Sequence, residues 1–162
     1  MRTIAGRPRI PEIYIGSEGW RGGLLPWSYV EERLSAAKHY WLATVTPKGL
    51  PYTRPIDGFW LDDKLFFGGS ESARWRRNLA DNPGACVNLE DGWQAVILHG
   101  EVETVRPDHA LAVRLAEASN EKYDYGQKLE DYEGVEVLMF KPRVVIAWKT
   151  LYEDATRFEC LD

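Results

Sequence analysis

Long apolar runs are missing from this chain, and no segment reaches the length of a membrane span. The N-terminus also lacks the apolar stretch of a signal peptide, so a soluble cytoplasmic protein is expected. Cysteine is nearly absent. Cys86 lies in an apolar run and Cys160 near the C-terminus, with neither metal-ligand spacing nor a disulfide pattern. Two unconnected thiols suit a reducing compartment. Histidine is equally sparse: His39, His99 and His109 are scattered without metal-ligand spacing, which favours a structural role for each. Positive charge is not in excess either. A net charge of -5 argues against general nucleic-acid binding, which needs a broad basic surface, and leaves room only for a local basic pocket. Internal repeats and low-complexity segments are absent.

What the chain has in quantity is large rings. Seven Trp and eight Tyr in 162 residues point to stacking surfaces, a subunit interface, or both. The 44% apolar and 28% charged residues are ordinary for one globular domain with a substantial core. Met1–Pro26 carries five glycines and three prolines and reads as an extended arm, whose Ile10, Ile13, Tyr14, Trp20, Leu24 and Leu25 need something to pack against. A helix is expected from Ser28, with a Ser28–Glu31 capping box, Trp27 as a staple, and Val30, Leu34 and Ala37 as the buried stripe.

From Tyr40 the pattern changes to strands. Trp41–Val45 turns through Thr46-Pro47-Lys48-Gly49 into Pro51–Trp60, and Asp62-Asp63 leads on to Lys64–Phe67. Ala85–Leu89 and Gln94–Val105 make a further hairpin around Asp91-Gly92. A second helix follows from its N-cap Asp108 to about Asn120, then a charged, tyrosine-rich segment to Gly134. Val135–Phe140 and Arg143–Trp148 are the last strands, punctuated by Pro142. Short strands joined by tight hairpins, with two or three helices, predict a small antiparallel barrel with its helices outside.

The most informative stretch is Gly68–Pro83, GGSESARWRRNLADNP. It follows an apolar strand and places Arg74, Arg76 and Arg77 in the first turns of a helix, against the positive end of the macrodipole. Two readings stay open on these residues. In one, an anion sits on the helix N-terminus, held by backbone N–H groups, the hydroxyls of Ser70 and Ser72, and Arg74 and Arg77. In the other, the arginines form a solvated basic face and Ser72 is an ordinary N-cap.

Taken in order, YWLATVTPKGLPYTRPIDGFW at 40–60, KLFFGGSESARWRRNLADNP at 64–83, ACVNLEDGWQAVILHGEVE at 85–103 and AWKTLYEDATRF at 147–158 resemble the pyridoxamine 5′-phosphate oxidase-like flavin-binding split barrels. The resemblance implies a mainly β (α+β) fold: a six- to seven-stranded antiparallel split β-barrel with peripheral helices. It divides the chain into an arm, 1–26, and a flavin-binding domain, 27–162. It also implies a homodimer with two flavin sites at the subunit interface.

Carried over residue by residue, it makes Arg54, Ser70, Ser72, Arg74 and Arg77 the phosphate and ribityl contacts, and includes Asn78 in the same segment. Pro55 and Ile56 become the ring-facing wall. Gln94 addresses the ring from the opposite hairpin, and Trp148 and Arg157 either reach a neighbouring subunit's flavin or serve as plain interface packing (Trp148) and a surface ion pair (Arg157). Trp75 departs from the family's pattern, which has a lysine at this point of the helix; Trp75 and Leu79 are expected to face inward.

The implied activity is an FMN-dependent oxidoreductase acting on a small molecule. Alternatives are a reductase using the deazaflavin coenzyme F-420, whose acidic tail would meet Lys48, Arg7 and Arg9, and a non-catalytic flavin- or haem-binding protein, with His39 or His99 as the axial ligand. The family's true oxidase carries a C-terminal segment whose arginine and histidine grip the substrate's own phosphate; residues 155–162, ATRFECLD, do not form that segment, so vitamin B6 oxidation is not expected. A flavin needs little acid–base machinery from the protein, which fits a chain without an evident catalytic constellation. Asp57, beside Ile56, is the one carboxylate to watch; a strand-end residue bonded to nearby backbone is its favoured reading. Trp60 and Trp93 are expected as packing residues.

Overall fold

The computed structural model describes residues 1–161, one short of the expected domain end at Asp162. Among them are nine antiparallel strands: β1 Arg2–Gly6, β2 Tyr40–Val45, β3 Pro51–Ile56, β4 Phe59–Leu61, β5 Lys64–Phe67, β6 Gly84–Asn88, β7 Val96–Val105, β8 Val137–Ala147 and β9 Thr156–Leu161. The helices are α1 Glu12–Ile15, α2 Trp27–Ala36, α3 Arg74–Asp81, α4 His109–Tyr123 and α5 Leu151–Asp154, with a 3₁₀ turn at Leu129–Asp131. The hydrogen-bonded order is β1-β9-β8-β7-β6-β2-β3, with β5 joining β4 to β8. The ladder does not close. This is the mainly β, split-barrel α+β architecture expected, with two or three more strands.

The differences have local causes. Asp57 and Gly58 interrupt the expected strand Pro51–Trp60, dividing it into β3 and β4. A Cβ on Gly58 would stand 2.9 Å from both the Leu65 side chain and the Phe66 carbonyl, so the chain crosses β5 where only glycine fits. The two strands expected around Pro142 are one. Pro142 pairs with Gly100 at a bulge, where β8 exchanges β5 on its N-terminal half for β9 on its C-terminal half. A residue without an N–H costs least at such an interruption. The arm is extended over Arg2–Gly6, which pairs in register with β9, and departs from extended backbone at the helical turn Glu12–Ile15. The stretch 147–158 that carries part of the resemblance contains α5, and a further strand, β9, starts at Thr156.

The core lies between the sheet and α2 and α3. Tyr40, Phe67, Phe140 and Phe158 are its largest fully buried side chains, each contributing roughly 1.5–3 kcal/mol by leaving water. Val30 and Leu34 carry the buried face of α2 as their spacing predicts. That helix begins at Trp27 after Pro26 and has no side-chain cap, so the Ser28–Glu31 box is not formed. Trp27 instead donates to Asp63 Oδ1 at 3.1 Å and meets Phe158 edge to face. Asp108 caps α4 as expected, accepting from the Leu111 N–H at 2.9 Å. A smaller apolar cluster of Phe59, Phe66, Leu115 and Val137 joins α4 to the β4–β5 hairpin. Among the described residues, no helix is long and apolar enough to cross a membrane.

Candidate functional site

Helix α3 is seated by three buried side chains, Trp75, Asn78 and Leu79. The Asn78 amide donates to Thr44 Oγ1 at 3.0 Å, and Thr44 Oγ1 donates to the Tyr52 carbonyl at 3.4 Å, tying the helix to β2 and through it to β3. Asn78 therefore faces the core. Trp75 faces inward as predicted, under Gly69: a Cβ there would lie 2.6 Å from the indole. Gly69 also has φ +150, which side-chain-bearing residues rarely adopt.

Arg74 and Arg77 remain exposed on α3. Among the described residues, no hydrogen bond or ion pair engages either guanidinium. The N-cap position is held by Ala73 rather than Ser72, and no side chain caps the helix. The Ser70 and Ser72 hydroxyls lie 2.8 Å apart in the loop before it. Arg76 turns back and donates to the Gly69 carbonyl at 3.0 Å. The corner thus presents an uncapped helix N-terminus, two hydroxyls and two uncompensated cations.

Strand β3 supplies the adjoining wall. It pairs with β2 alone, leaving its outer backbone edge open. Arg54 is exposed, with Nε donating to the Tyr52 hydroxyl at 3.1 Å and the guanidinium 5.0 Å over that ring. Pro55 is exposed, whereas the Ile56 side chain is buried, so Ile56 faces the open edge only through its backbone.

Gln94, Trp148 and Arg157 lie elsewhere. Gln94 Oε1 accepts from Arg33 at 3.1 Å, the Trp148 N–H donates to the Ala95 carbonyl at 3.1 Å, and Arg157 pairs with Glu159. Among the described residues, no hydrogen bond or ion pair joins these three to the α3–β3 corner. Trp60 is buried as expected, but Trp93 is 88% exposed at a hairpin tip and packs little. Arg7 is committed to the carbonyls of Glu153, Ala155 and Gly22. His99 is exposed on β7, and no metal-holding group of three ligands occurs among the described residues.

One cluster carries no clear signal in the sequence. Asp57 Oδ2 accepts from the Tyr125 hydroxyl at 2.6 Å, and His39 Nε2 stands 3.5 Å from Oδ1. Asp57 is thus bonded to side chains, not to nearby backbone. The link to Tyr125 raises that phenol's pKa. Beside it, Lys122 Nζ donates to the Tyr40 hydroxyl at 2.8 Å and the Gly58 carbonyl at 3.0 Å. Burial, with Lys38 adding to it, lowers the Lys122 pKa to about 8. Only the fold reveals this, because α4 is what brings Lys122 and Tyr125 onto the β3–β4 junction.

No curated protein matches this chain. The chain is similar to a conserved hypothetical protein from Mycobacterium tuberculosis, at 20% identity over 77% of this chain and 85% of that one, TM-score 0.64. An F420 reductase aligns at 24% identity over 69% and 91%, TM-score 0.52. The haem storage protein HutZ of Vibrio cholerae aligns at 20% over 71% and 88%, TM-score 0.55. At such identities these likenesses speak for the fold. The family model described as pyridoxamine 5′-phosphate oxidase matches residues 28–149, which span α2 to the end of β8, and the chain belongs to that family.

Proposed function

We propose that this protein is an oxidoreductase that holds FMN at the corner between α3 and β3 and acts as a homodimer on a small molecule. The observation that carries the reading is the pair of exposed guanidiniums, Arg74 and Arg77, which have no partner among the described residues, at an uncapped helix N-terminus. Cations in that position oppose the helix dipole, and an anion there reverses the sign of the interaction. The donor set fits a phosphate monoester: two guanidiniums, two hydroxyls and free N–H groups, with Arg54 on the neighbouring strand.

In this reading Arg74, Arg77, Ser70 and Ser72 hold the phosphate, and Arg54 steadies the ribityl chain. Pro55 and the backbone of Ile56, on the open edge of β3, set the ring's plane. Asn78 acts at one remove, by fixing the helix to Thr44. When bound, the flavin ring supplies hydride acceptance and donation, and the protein supplies binding, orientation and exclusion of water. Gln94, Trp148 and Arg157 lie apart from the corner within one chain, which accords with their serving the site of a second subunit. The exposed Trp93 and Trp41 and the unpaired β3 edge are further surface for such a partner.

A deazaflavin is the second reading, favoured by the likeness to an F420 reductase. Lys48 and Arg9 remain for its acidic tail, whereas Arg7 is spent on backbone carbonyls. The absorption spectrum of the purified protein, before and after adding FMN, tests both. Flavin bands that stay with the protein through desalting support the first reading. A deazaflavin spectrum supports the second, and a haem spectrum or no retention of FMN overturns the proposal.

A further inference from the structure

We infer that Tyr52 is a positioning residue for Arg54, its phenol aiming the guanidinium before any ligand arrives. The inference rests on the reading of Arg54 as a flavin contact. Tyr52 and Arg54 stand two apart on β3 and therefore on one face of it. Arg54 Nε donates to the Tyr52 hydroxyl at 3.1 Å, and the guanidinium carbon lies 5.0 Å over the Tyr52 ring. The hydrogen bond fixes one edge of the guanidinium, and the ring contact fixes its plane.

Arg54 has little else to order it. It is exposed on an edge strand, and among the described residues its guanidinium makes no other hydrogen bond or ion pair. A long side chain left loose in the free protein loses rotamer freedom when a ligand fixes it. The contact with Tyr52 removes part of that loss beforehand. It engages Nε alone, so both Nη groups of the fork stay free for ligand oxygen atoms.

Tyr52 is itself held firmly. Its carbonyl accepts from Thr44 Oγ1 at 3.4 Å, and Thr44 Oγ1 accepts from the Asn78 amide at 3.0 Å. Its ring packs, partly buried, against the main core. A chain of contacts thus runs from Asn78 through Thr44 and Tyr52 to Arg54, that is from α3 across β2 to β3, and α3 touches both strands. The position of Arg54 is set by the same frame that seats the arginine helix.

The test is FMN titration of the natural chain, Tyr52→Phe, Arg54→Ala and the double variant. Tyr52→Phe keeps the ring and its packing and removes only the acceptor, so the melting temperature should stay nearly unchanged. FMN affinity should fall about threefold in Tyr52→Phe. The same replacement should have no effect in the Arg54→Ala background. A hydroxyl that served only the fold, or touched the ligand itself, would act equally in both backgrounds; that result, or unchanged affinity in Tyr52→Phe, overturns the inference. NMR relaxation at Arg54 Nε in the ligand-free chain gives a readout that needs no cofactor. The order parameter should be higher in the natural chain than in Tyr52→Phe, and equal values overturn the inference. Absence of saturable FMN binding to the natural chain overturns the cofactor reading and this inference with it, whereas FMN binding without coupling between Tyr52 and Arg54 overturns this inference alone.

Discussion

The Asn78 amide and the Thr44 hydroxyl meet at 3.0 Å with both residues almost wholly buried, and this bond fixes where the arginine helix sits on the sheet. The bond ties α3, which carries Arg74 and Arg77, to β2, the strand on which the edge strand β3 pairs.

Asn78→Ala should destabilise the protein by about 1–3 kcal/mol, because it opens a small gap and removes a buried hydrogen bond. Thr44 keeps its bond to Tyr52, so the loss should stay in the lower part of that range. Urea denaturation measures it. An unchanged midpoint would mean that α3 is held by Trp75 and Leu79 alone.

The loop before α3 makes a sharper contrast. Gly69→Ala places a methyl 2.6 Å from the Trp75 ring at a φ of +150, whereas a Cβ on Gly68 meets nothing within 4 Å. Gly69→Ala should cost about 1–3 kcal/mol in denaturant melts, and Gly68→Ala about 0.5 kcal/mol or less. Equal effects at the two positions would contradict the packing of Trp75 under the loop.

Much of this was legible in the chain. Val30 and Leu34 four apart marked the buried face of α2, Asp108 marked the start of α4, and the arginines after Gly68-Gly69-Ser70 marked the candidate site. What escaped reading depends on contacts distant in sequence. Pro142 looked like a strand break because its missing donor is a local fact, while the exchange of β5 for β9 that accommodates it is not. Asn78 sat in the right segment but its amide points to Thr44, which a helical wheel alone does not specify. Tyr125 and Asp57 are 68 positions apart, and nothing in a single sequence pairs them.

Lys122 should leave a mark on the pH dependence of stability. Burial lowers its pKa in the fold from 10.5 to about 8, so the unfolded chain binds more protons between those values. Stability from this group therefore rises with pH through that window, and is lowest where the lysine is charged in both states. Thermal melts of the natural chain and of Lys122→Met should show a stability difference that shifts in favour of the natural chain from pH 8 to 10.5. A difference flat across the window would show that the amine is better solvated than its surroundings imply.

The account rests on the anion held by α3, and FMN titration of Arg74→Ala and Arg77→Ala tests it most directly. Each replacement removes charge-assisted hydrogen bonds of about 1.5–3 kcal/mol and should weaken FMN binding roughly tenfold or more, with the melting temperature nearly unchanged. FMN affinity equal to that of the natural chain in both variants would contradict the proposal and return these arginines to the role of a solvated basic face.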